Sequence, residues 1–213
     1  MEVEGCDINQ EDCMATGRTP LLWAVSNGHE EVVKLLLGRD DINPNKPNWD
    51  NETPLCRAAL NGHAGVVKIL LERNDIDPNK QGWNSETPLG CAAWGGHEGV
   101  AEILLGRDDI APEKPGWNDQ TPLCRAALNG HAGVVKMLLE RDDINPDKPD
   151  NDGQTPLWHA ARAGHEVVVK ILLGRSDVNP DKPDHLGRTP YWAAVGRSNA
   201  GAMALLRPHS LLP

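Results

Sequence analysis

This sequence is short of aromatic residues, of long apolar segments and of positive charge. It contains no phenylalanine and a single tyrosine, so seven tryptophans supply most of its aromatic bulk. No apolar run exceeds five residues, which excludes a membrane-spanning helix, and the acidic N-terminal stretch lacks the apolar core of a signal peptide. With 21 basic and 31 acidic residues the net charge is -10, and no basic stripe occurs, which excludes nucleic acid as a partner. We expect an intracellular protein, cytoplasmic with the nucleus as the alternative, that binds no membrane.

The sequence also lacks the patterns that catalysis and metal binding require. Its five cysteines include no C-x-x-C pair, so we expect reduced thiols; they are Cys6, Cys13, Cys56, Cys91 and Cys124. Neither a G-x-x-x-x-G-K-[ST] phosphate loop nor a G-x-S-x-G nucleophile motif occurs. We therefore predict that the chain is not an enzyme and that it uses no cofactor and no metal ion.

A repeat of 34 residues organises the chain. The dipeptide Thr-Pro recurs at this interval six times, at Thr19, Thr53, Thr87, Thr121, Thr155 and Thr189. A Gly-His dipeptide keeps the same interval, with its histidines at His29, His63, His97, His131 and His165. The units that begin at Thr53 and Thr121 share the run TPLCRAALNGHAGVVK without a change, which indicates that one module was copied. The sequence thus predicts six tandem units.

Each unit predicts two helices and a loop. Threonine is a good N-cap and proline is favoured at the first helical position, so one helix begins at each Thr-Pro and ends near the glycine before His. A second helix with one apolar face follows, as in residues 30–37. The next stretch, DINPNKPNWDNE in the first unit, combines prolines with Asn and Asp, which predicts a projecting connection that we name the finger. Because one such helix pair cannot bury its own apolar face, neighbouring units must stack.

These residues resemble the ankyrin repeat, whose pattern is T-P-L-H-x-A-A, then G-H, V-V-K-L-L-L and D-V-N. The fifth unit, TPLWHAARAGHEVVVKILLGRSDVN, is close to this pattern. The resemblance implies an all-α solenoid of stacked helix-turn-helix units with projecting loop or β-hairpin fingers, and a non-catalytic role as a scaffold that binds proteins. It divides the chain into the tail of an incomplete preceding repeat (1–18), five repeats (19–52, 53–86, 87–120, 121–154 and 155–188) and a partial C-terminal repeat (189–213).

Two features of the histidine positions bear on this resemblance. The five histidines in register are too far apart to share a metal ion, because equivalent residues of stacked units are separated by about a helix diameter. We expect them to form hydrogen bonds between helices instead. In the last unit Ser198-Asn199 replaces Gly-His, which predicts a weak final unit.

The resemblance also implies which residues contact a partner. In ankyrin repeats such contacts come from the finger, at four, three and one residues before the Thr, and from the first helix, two residues before Gly-His. In this sequence the positions hold Trp49, Asp50, Glu52, Leu60, Trp83, Asn84, Glu86, Trp94, Trp117, Asn118, Gln120, Leu128 and Arg162.

The column formed by Trp49, Trp83 and Trp117 is the most informative of these positions. Large aromatic side chains are common interface anchors, which favours contact with a partner in a concave groove between fingers and first helices. The alternative is that the rings pack on their own lengthened fingers. We predict a protein or peptide partner of basic or mixed polarity. The competing function is a structural spacer or self-assembling segment of a larger protein, such as an intracellular receptor's sensor array, with end-to-end association.

Overall fold

The structure, a computed structural model, describes residues 7–12 and 16–209. This part of the chain forms twelve α-helices in six pairs. The pairs are α1 (Pro20–Ser26) with α2 (Glu30–Leu37), α3 (Pro54–Leu60) with α4 (Ala64–Leu71), α5 (Pro88–Gly95) with α6 (Glu98–Leu105), α7 (Pro122–Asn129) with α8 (Ala132–Leu139), α9 (Pro156–Ala163) with α10 (Glu166–Leu173), and α11 (Pro190–Val195) with α12 (Ala200–Leu206). Much of the predicted N-terminal tail, with Cys6 and Cys13, lies outside the described residues.

The first helix of every unit begins where the Thr-Pro spacing predicts. In each unit the threonine hydroxyl accepts a hydrogen bond from the backbone N–H three residues later, and proline takes the first helical position. In the third unit the Gly90 N–H donates to Thr87 Oγ1 at 3.0 Å. The hydroxyl thereby satisfies one of the N–H groups that a helix start leaves unpaired. The predicted starts of all six first helices are confirmed.

The Gly-His pair joins each unit to the one before it. His97 Nε2 lies 2.8 Å from the Leu60 carbonyl oxygen at the end of α3, and His63, His131 and His165 make the equivalent bond. Gly62 has a φ of +74°, and a Cβ at this position would lie 2.5 Å from His97 Nδ1. The glycine is therefore required both by its left-handed backbone and by the histidine ring against it. The predicted hydrogen bonds between helices are confirmed for these four histidines, whereas the side chain of His29, in the first unit, makes none within the described part of the chain.

The last unit keeps this junction with different residues. Ser198 takes the left-handed conformation, with a φ of 57°, and the Asn199 side-chain amide donates to the carbonyl oxygens of Ala161 and Arg162 at 3.1 and 2.7 Å. Asparagine thus replaces the histidine as the donor to the preceding unit. The loss of the Gly-His motif from the sequence does not remove the contact.

We expect the His97→Ala variant to unfold with a free energy about 1–2 kcal/mol lower than the wild-type protein, because the Leu60 carbonyl oxygen loses its donor. Urea unfolding followed by circular dichroism measures this difference. The His185→Ala variant is the control, since the His185 side chain is exposed on a finger and has no such bond. Equal losses in the two variants would contradict the assigned role.

The helices form two layers. The first helices pack side by side in one layer and the second helices in the other, and each helix contacts its equivalents in the adjacent units. The alanine pairs of the first helices, such as Ala58 with Ala59 and Ala126 with Ala127, are fully buried, so their small side chains let neighbouring helices approach closely. Buried valines and leucines of the second helices, such as Val67 and Leu70, complete one continuous core. The array is the stack that the sequence predicts.

Of the two expected forms, loop or β-hairpin, the fingers take the loop form, and the described residues contain no β-strand. Two fingers carry a 3₁₀ turn at the tip, at Trp83–Ser85 and Trp117–Asp119. One backbone hydrogen bond closes each finger, as from the Gly82 N–H to the Glu86 carbonyl at 2.9 Å. A ladder of further bonds does not form because the prolines lack N–H donors and because residues with positive φ, such as Asn84 and Asn118, bend the tip. In the second and third fingers the residue that precedes the bend, Trp83 or Trp117, therefore lies at the tip.

Candidate partner-binding face

The fingers present a tryptophan at each of the first three tips. Trp49, Trp83 and Trp117 each occupy the second residue of the loop that the finger's backbone bond closes. Their side chains are 62%, 51% and 58% exposed, which meets the first condition for contact with a partner. The rings also touch their own chain, since the Trp49 indole N–H donates to Glu11 Oε2 at 2.9 Å. We name the surface formed by the finger tips and the exposed sides of the first helices the finger face.

Trp83 and Trp117 line one pocket together with a third tryptophan, Trp94, which comes from a first helix. Trp94 lies near the end of α5 and is 45% exposed. The pocket has a volume of about 260 Å³ and is largely apolar. We name it the tryptophan pocket; its lining residues are Leu60, Trp83, Asn84, Glu86, Cys91, Trp94, Trp117, Gln120, Arg125 and Leu128.

A buried ion pair underlies the tryptophan pocket. Glu86 Oε1 accepts from Arg125 Nη2 in a short contact, and both side chains are less than a tenth exposed. The guanidinium carbon of Arg125 lies 5.1 Å from the Trp94 ring centroid and 5.9 Å from that of Trp117, both within reach of a cation–π contact. Burial raises the pKa of the Glu86 carboxyl, and the attraction of Arg125 opposes this rise without cancelling it. The pair thus positions two of the three rings.

Arg125 is a pocket residue that the sequence interpretation missed. It stands four residues after Thr121, and the same position holds Arg57 and His159 in other units, each bound to a carboxylate. In the third unit the position holds Cys91, so Glu86 has no basic partner there and pairs with the arginine of the next unit. The sequence signal for this pair is a basic residue four positions after the Thr of one unit together with an acidic residue at the end of a finger.

His159 provides the corresponding contact in the fifth unit. Its Nε2 lies 2.9 Å from Asp150 Oδ2, and both side chains are buried. Burial alone would raise the pKa of Asp150, but the hydrogen bonds from His159 and from the Gln154 N–H hold that pKa below its usual range. Each of these pairs ties a finger to a first helix.

The predicted contact residues fall into groups with different surroundings. Glu86 and Gln120 are 6% and 5% exposed, so they form the floor of the tryptophan pocket, and Gln120 also donates to Asp150 Oδ2 at 3.2 Å. Glu52 is half-buried and accepts from Arg57 Nη1 at 2.6 Å. The remaining predicted residues lie wholly or partly on the surface; they are Trp49, Asp50, Leu60, Trp83, Asn84, Trp94, Trp117, Asn118, Leu128 and Arg162.

Arg162 does not line the tryptophan pocket. It lies at a second pocket further along the finger face, beside Trp158 and Arg188. The structure therefore brings the predicted residues of the second, third and fourth units together at the tryptophan pocket, except Asn118, and separates Arg162 from them. Asn118 donates instead to Asp152 Oδ2 at 3.4 Å. Trp49, Asp50 and Glu52 lie at the first finger, outside the tryptophan pocket.

Neither a metal centre nor a membrane segment is found in the described parts of the chain. No group of three or more His, Cys, Asp or Glu side chains there has the arrangement to hold a metal ion. None of the described helices is both long and apolar enough to cross a bilayer. The thiols of Cys56, Cys91 and Cys124 are free and buried, and burial raises the pKa of Cys124 to about 11.

Comparison with known proteins agrees with this architecture. A family model described as ankyrin repeats (3 copies) matches residues 1–82, 41–116, 74–150, 91–184 and 142–210. No curated protein matches the sequence significantly. The crystal structure of the human ASB11 ankyrin repeat domain is similar, with a TM-score of 0.80 and 27% sequence identity, over 92% of this chain and 85% of that one. The chain belongs to the ankyrin-repeat family.

Proposed function

We propose that the finger face binds a protein or peptide partner and that a bulky apolar side chain of the partner inserts into the tryptophan pocket. The observation that carries this proposal is the set of three tryptophan rings, each about half exposed, around one pocket. A soluble protein seldom keeps a contiguous apolar patch of this kind without a use for it. Buried tryptophans that only stabilise the fold would not leave half of each ring exposed.

The size of the pocket and the charges around it define the partner's chemistry. A volume of about 260 Å³ is below the ~300–1,000 Å³ usual for small-molecule sites, so one large side chain fits better than a cofactor. Exposed carboxylates lie on the neighbouring finger tips, at Asp50 and Asp119. Basic residues of the partner, on either side of its inserted apolar side chain, would pair with these carboxylates. The partner is therefore of basic or mixed polarity.

The proposed role is that of a non-catalytic scaffold in the cytoplasm. Ankyrin repeats are in general modules that bind other proteins. The buried charged groups of this face are bound to one another, Glu86 to Arg125 and Asp150 to His159, rather than arranged around a reacting atom. Free, buried thiols agree with the reducing conditions of the cytoplasm.

Selection of peptides from a random library on the immobilised chain tests the proposal. We expect the selected peptides to share one bulky apolar residue near a basic residue. We also expect binding to be lost in the triple variant Trp49→Ala/Trp83→Ala/Trp117→Ala, which should remain folded because all three rings are exposed. Selected peptides that bind this variant as tightly as the wild-type chain would overturn the proposal.

A second candidate function, end-to-end self-association, is favoured by one observation. Leu35 on α2 is 76% exposed, whereas the equivalent Ile69 on α4 is 8% exposed, because the preceding unit covers the latter. The outer side of the first unit thus presents the kind of side chain that stacking buries inside the array. In this candidate function, a second copy of the chain covers Leu35.

The second candidate predicts a mass that rises with protein concentration in sedimentation equilibrium. The Leu35→Glu variant should then sediment as a monomer at every concentration, because stacking would bury an unpaired carboxylate. Val167→Glu is the matched control, since Val167 is 59% exposed on α10, in the fifth of the six units and away from the outer side of the first. A concentration-independent monomer mass for the wild-type chain would exclude this candidate.

A further inference from the structure

Two of the three described arginines without an acidic partner lie at one place on this acidic protein. Nine of its twelve arginines form an ion pair with a carboxylate. Within the described part of the chain the exceptions are Arg162, Arg197 and Arg207. Arg162 and Arg197 line the same pocket, which has a volume of about 400 Å³ and which we name the arginine pocket. Arg207 lies outside it.

The arginine pocket contains three guanidinium groups and one carboxylate. Besides Arg162 and Arg197 it is lined by Arg188, whose charge is matched by Asp184 at 2.6 Å between Nη2 and Oδ2. The carboxylate in the lining is Asp152, and its Oδ2 lies 3.4 Å from Asn118 Nδ2. The local charge is therefore positive in a chain whose net charge is -10.

Aromatic rings hold two of the guanidinium groups in place. Trp158 is 3% exposed, and the guanidinium carbons of Arg162 and Arg188 lie 5.6 and 5.7 Å from its ring centroid. The guanidinium of Arg188 also lies 5.0 Å from the ring centroid of Trp192. Contact with rings restricts these side chains before any ligand binds, so less entropy is lost when they form hydrogen bonds.

We propose that the arginine pocket binds an oxyanion, a carboxylate or phosphoryl group, that is carried by a peptide. A guanidinium group presents planar pairs of N–H donors that match both kinds of oxyanion. A peptide is the carrier because Arg162 stands two residues before its Gly-His, the same position as Trp94 and Leu128 of the tryptophan pocket, so one extended chain on the finger face reaches both. The two pockets share no lining residue, so this proposal and the proposed function are tested separately.

Titration with inorganic phosphate tests whether the pocket accepts an oxyanion. In ¹H–¹⁵N spectra recorded at constant ionic strength with chloride, we expect saturable shifts of the Trp192 indole N–H and of the arginine Nε–H signals. The double variant Arg162→Gln/Arg197→Gln should bind phosphate at least about tenfold more weakly. The control Arg207→Gln should bind like the wild-type chain, because it removes an exposed arginine outside the pocket. Shifts that do not saturate, or that persist in the double variant, would overturn the proposal.

Three peptides of otherwise identical sequence identify the source of the oxyanion. They carry glutamate, phosphoserine or serine at one position, and binding is measured by fluorescence anisotropy. A preference of about tenfold or more for the glutamate or the phosphoserine peptide over the serine peptide, absent from Arg162→Gln/Arg197→Gln, supports the proposal and names the group. If neither is preferred, no peptide oxyanion is bound and the proposal is wrong. The Trp83→Ala variant should keep the preference, whereas it should lose the apolar anchor of the proposed function.

Discussion

Replacing Trp83 with alanine is expected to weaken binding of a library-selected peptide by about 30-fold or more, which corresponds to ~2 kcal/mol, with little loss of stability. Trp83 is 51% exposed and forms one wall of the tryptophan pocket, so its truncation removes contact area for the anchor but creates no cavity in the core. A buried tryptophan would instead cost about 3–5 kcal/mol of folding free energy on truncation. Peptide titration by fluorescence anisotropy and urea unfolding measure the two quantities on the same samples.

The control for this prediction is Val167→Ala. Val167 is an exposed apolar residue on α10, in the layer of second helices, where the proposed function places no partner. The Val167→Ala variant should have an affinity for the peptide and a free energy of unfolding close to those of the wild-type chain. If Trp83→Ala instead lowered the unfolding free energy steeply and kept the affinity, the ring would be a packing residue and the tryptophan pocket would not be the anchor site.

The second large effect is expected at the buried ion pair beneath the same pocket. The Arg125→Ala variant should lose about 3–5 kcal/mol of unfolding free energy, because it leaves the Glu86 carboxylate buried without its partner. The same change should also weaken peptide binding, since the Arg125 guanidinium lies against the rings of Trp94 and Trp117. Urea unfolding and anisotropy measure the two effects.

The chain offers a matched control for Arg125 in Arg57. The two arginines occupy the same place in identical runs of sixteen residues, but the side chains of Arg57 and its partner Glu52 are 23% and 13% exposed. Arg57→Ala should therefore cost only about 1 kcal/mol. In the double variant Glu86→Leu/Arg125→Met most of the loss should be recovered, because no buried charge remains. Equal losses at Arg57 and Arg125 would show that burial of the pair does not decide its strength.

The helices could be predicted from the sequence because their signals are local. Thr19 and Pro20 define the start of α1 within two residues, and each glycine before a histidine marks an end that needs a positive φ. Stacking also follows, since the same signals recur every 34 residues. The finger conformation was less determined, because prolines and asparagines exclude helix without distinguishing a loop from a short hairpin.

The contents of the two pockets were only partly predictable because they depend on contacts between units. Trp83 and Trp94 were named from their positions in the repeat. Arg125 was missed because its carboxylate partner lies 39 residues earlier, in a different unit. Arg188 was missed for a different reason: it occupies the column that holds Glu86 and Gln120 in earlier units, so the residue type at this position varies along the array. A single consensus for all units conceals such changes.

The repetition of one junction has a consequence for how the gene can change. Residues 53–68 and 121–136 are identical, so recombination between the DNA segments that encode them would delete 68 residues in frame. The first unit would then meet a neighbour with the same first helix and the same histidine as before. The junctions made by a glycine and a histidine ring would keep both, and the last junction would keep Ser198 and Asn199. The shortened protein would lack Glu86, Cys91 and Trp94, and thus the tryptophan pocket, but it would keep every residue that lines the arginine pocket. The proposed apolar specificity would be lost and the proposed oxyanion specificity kept without a point mutation.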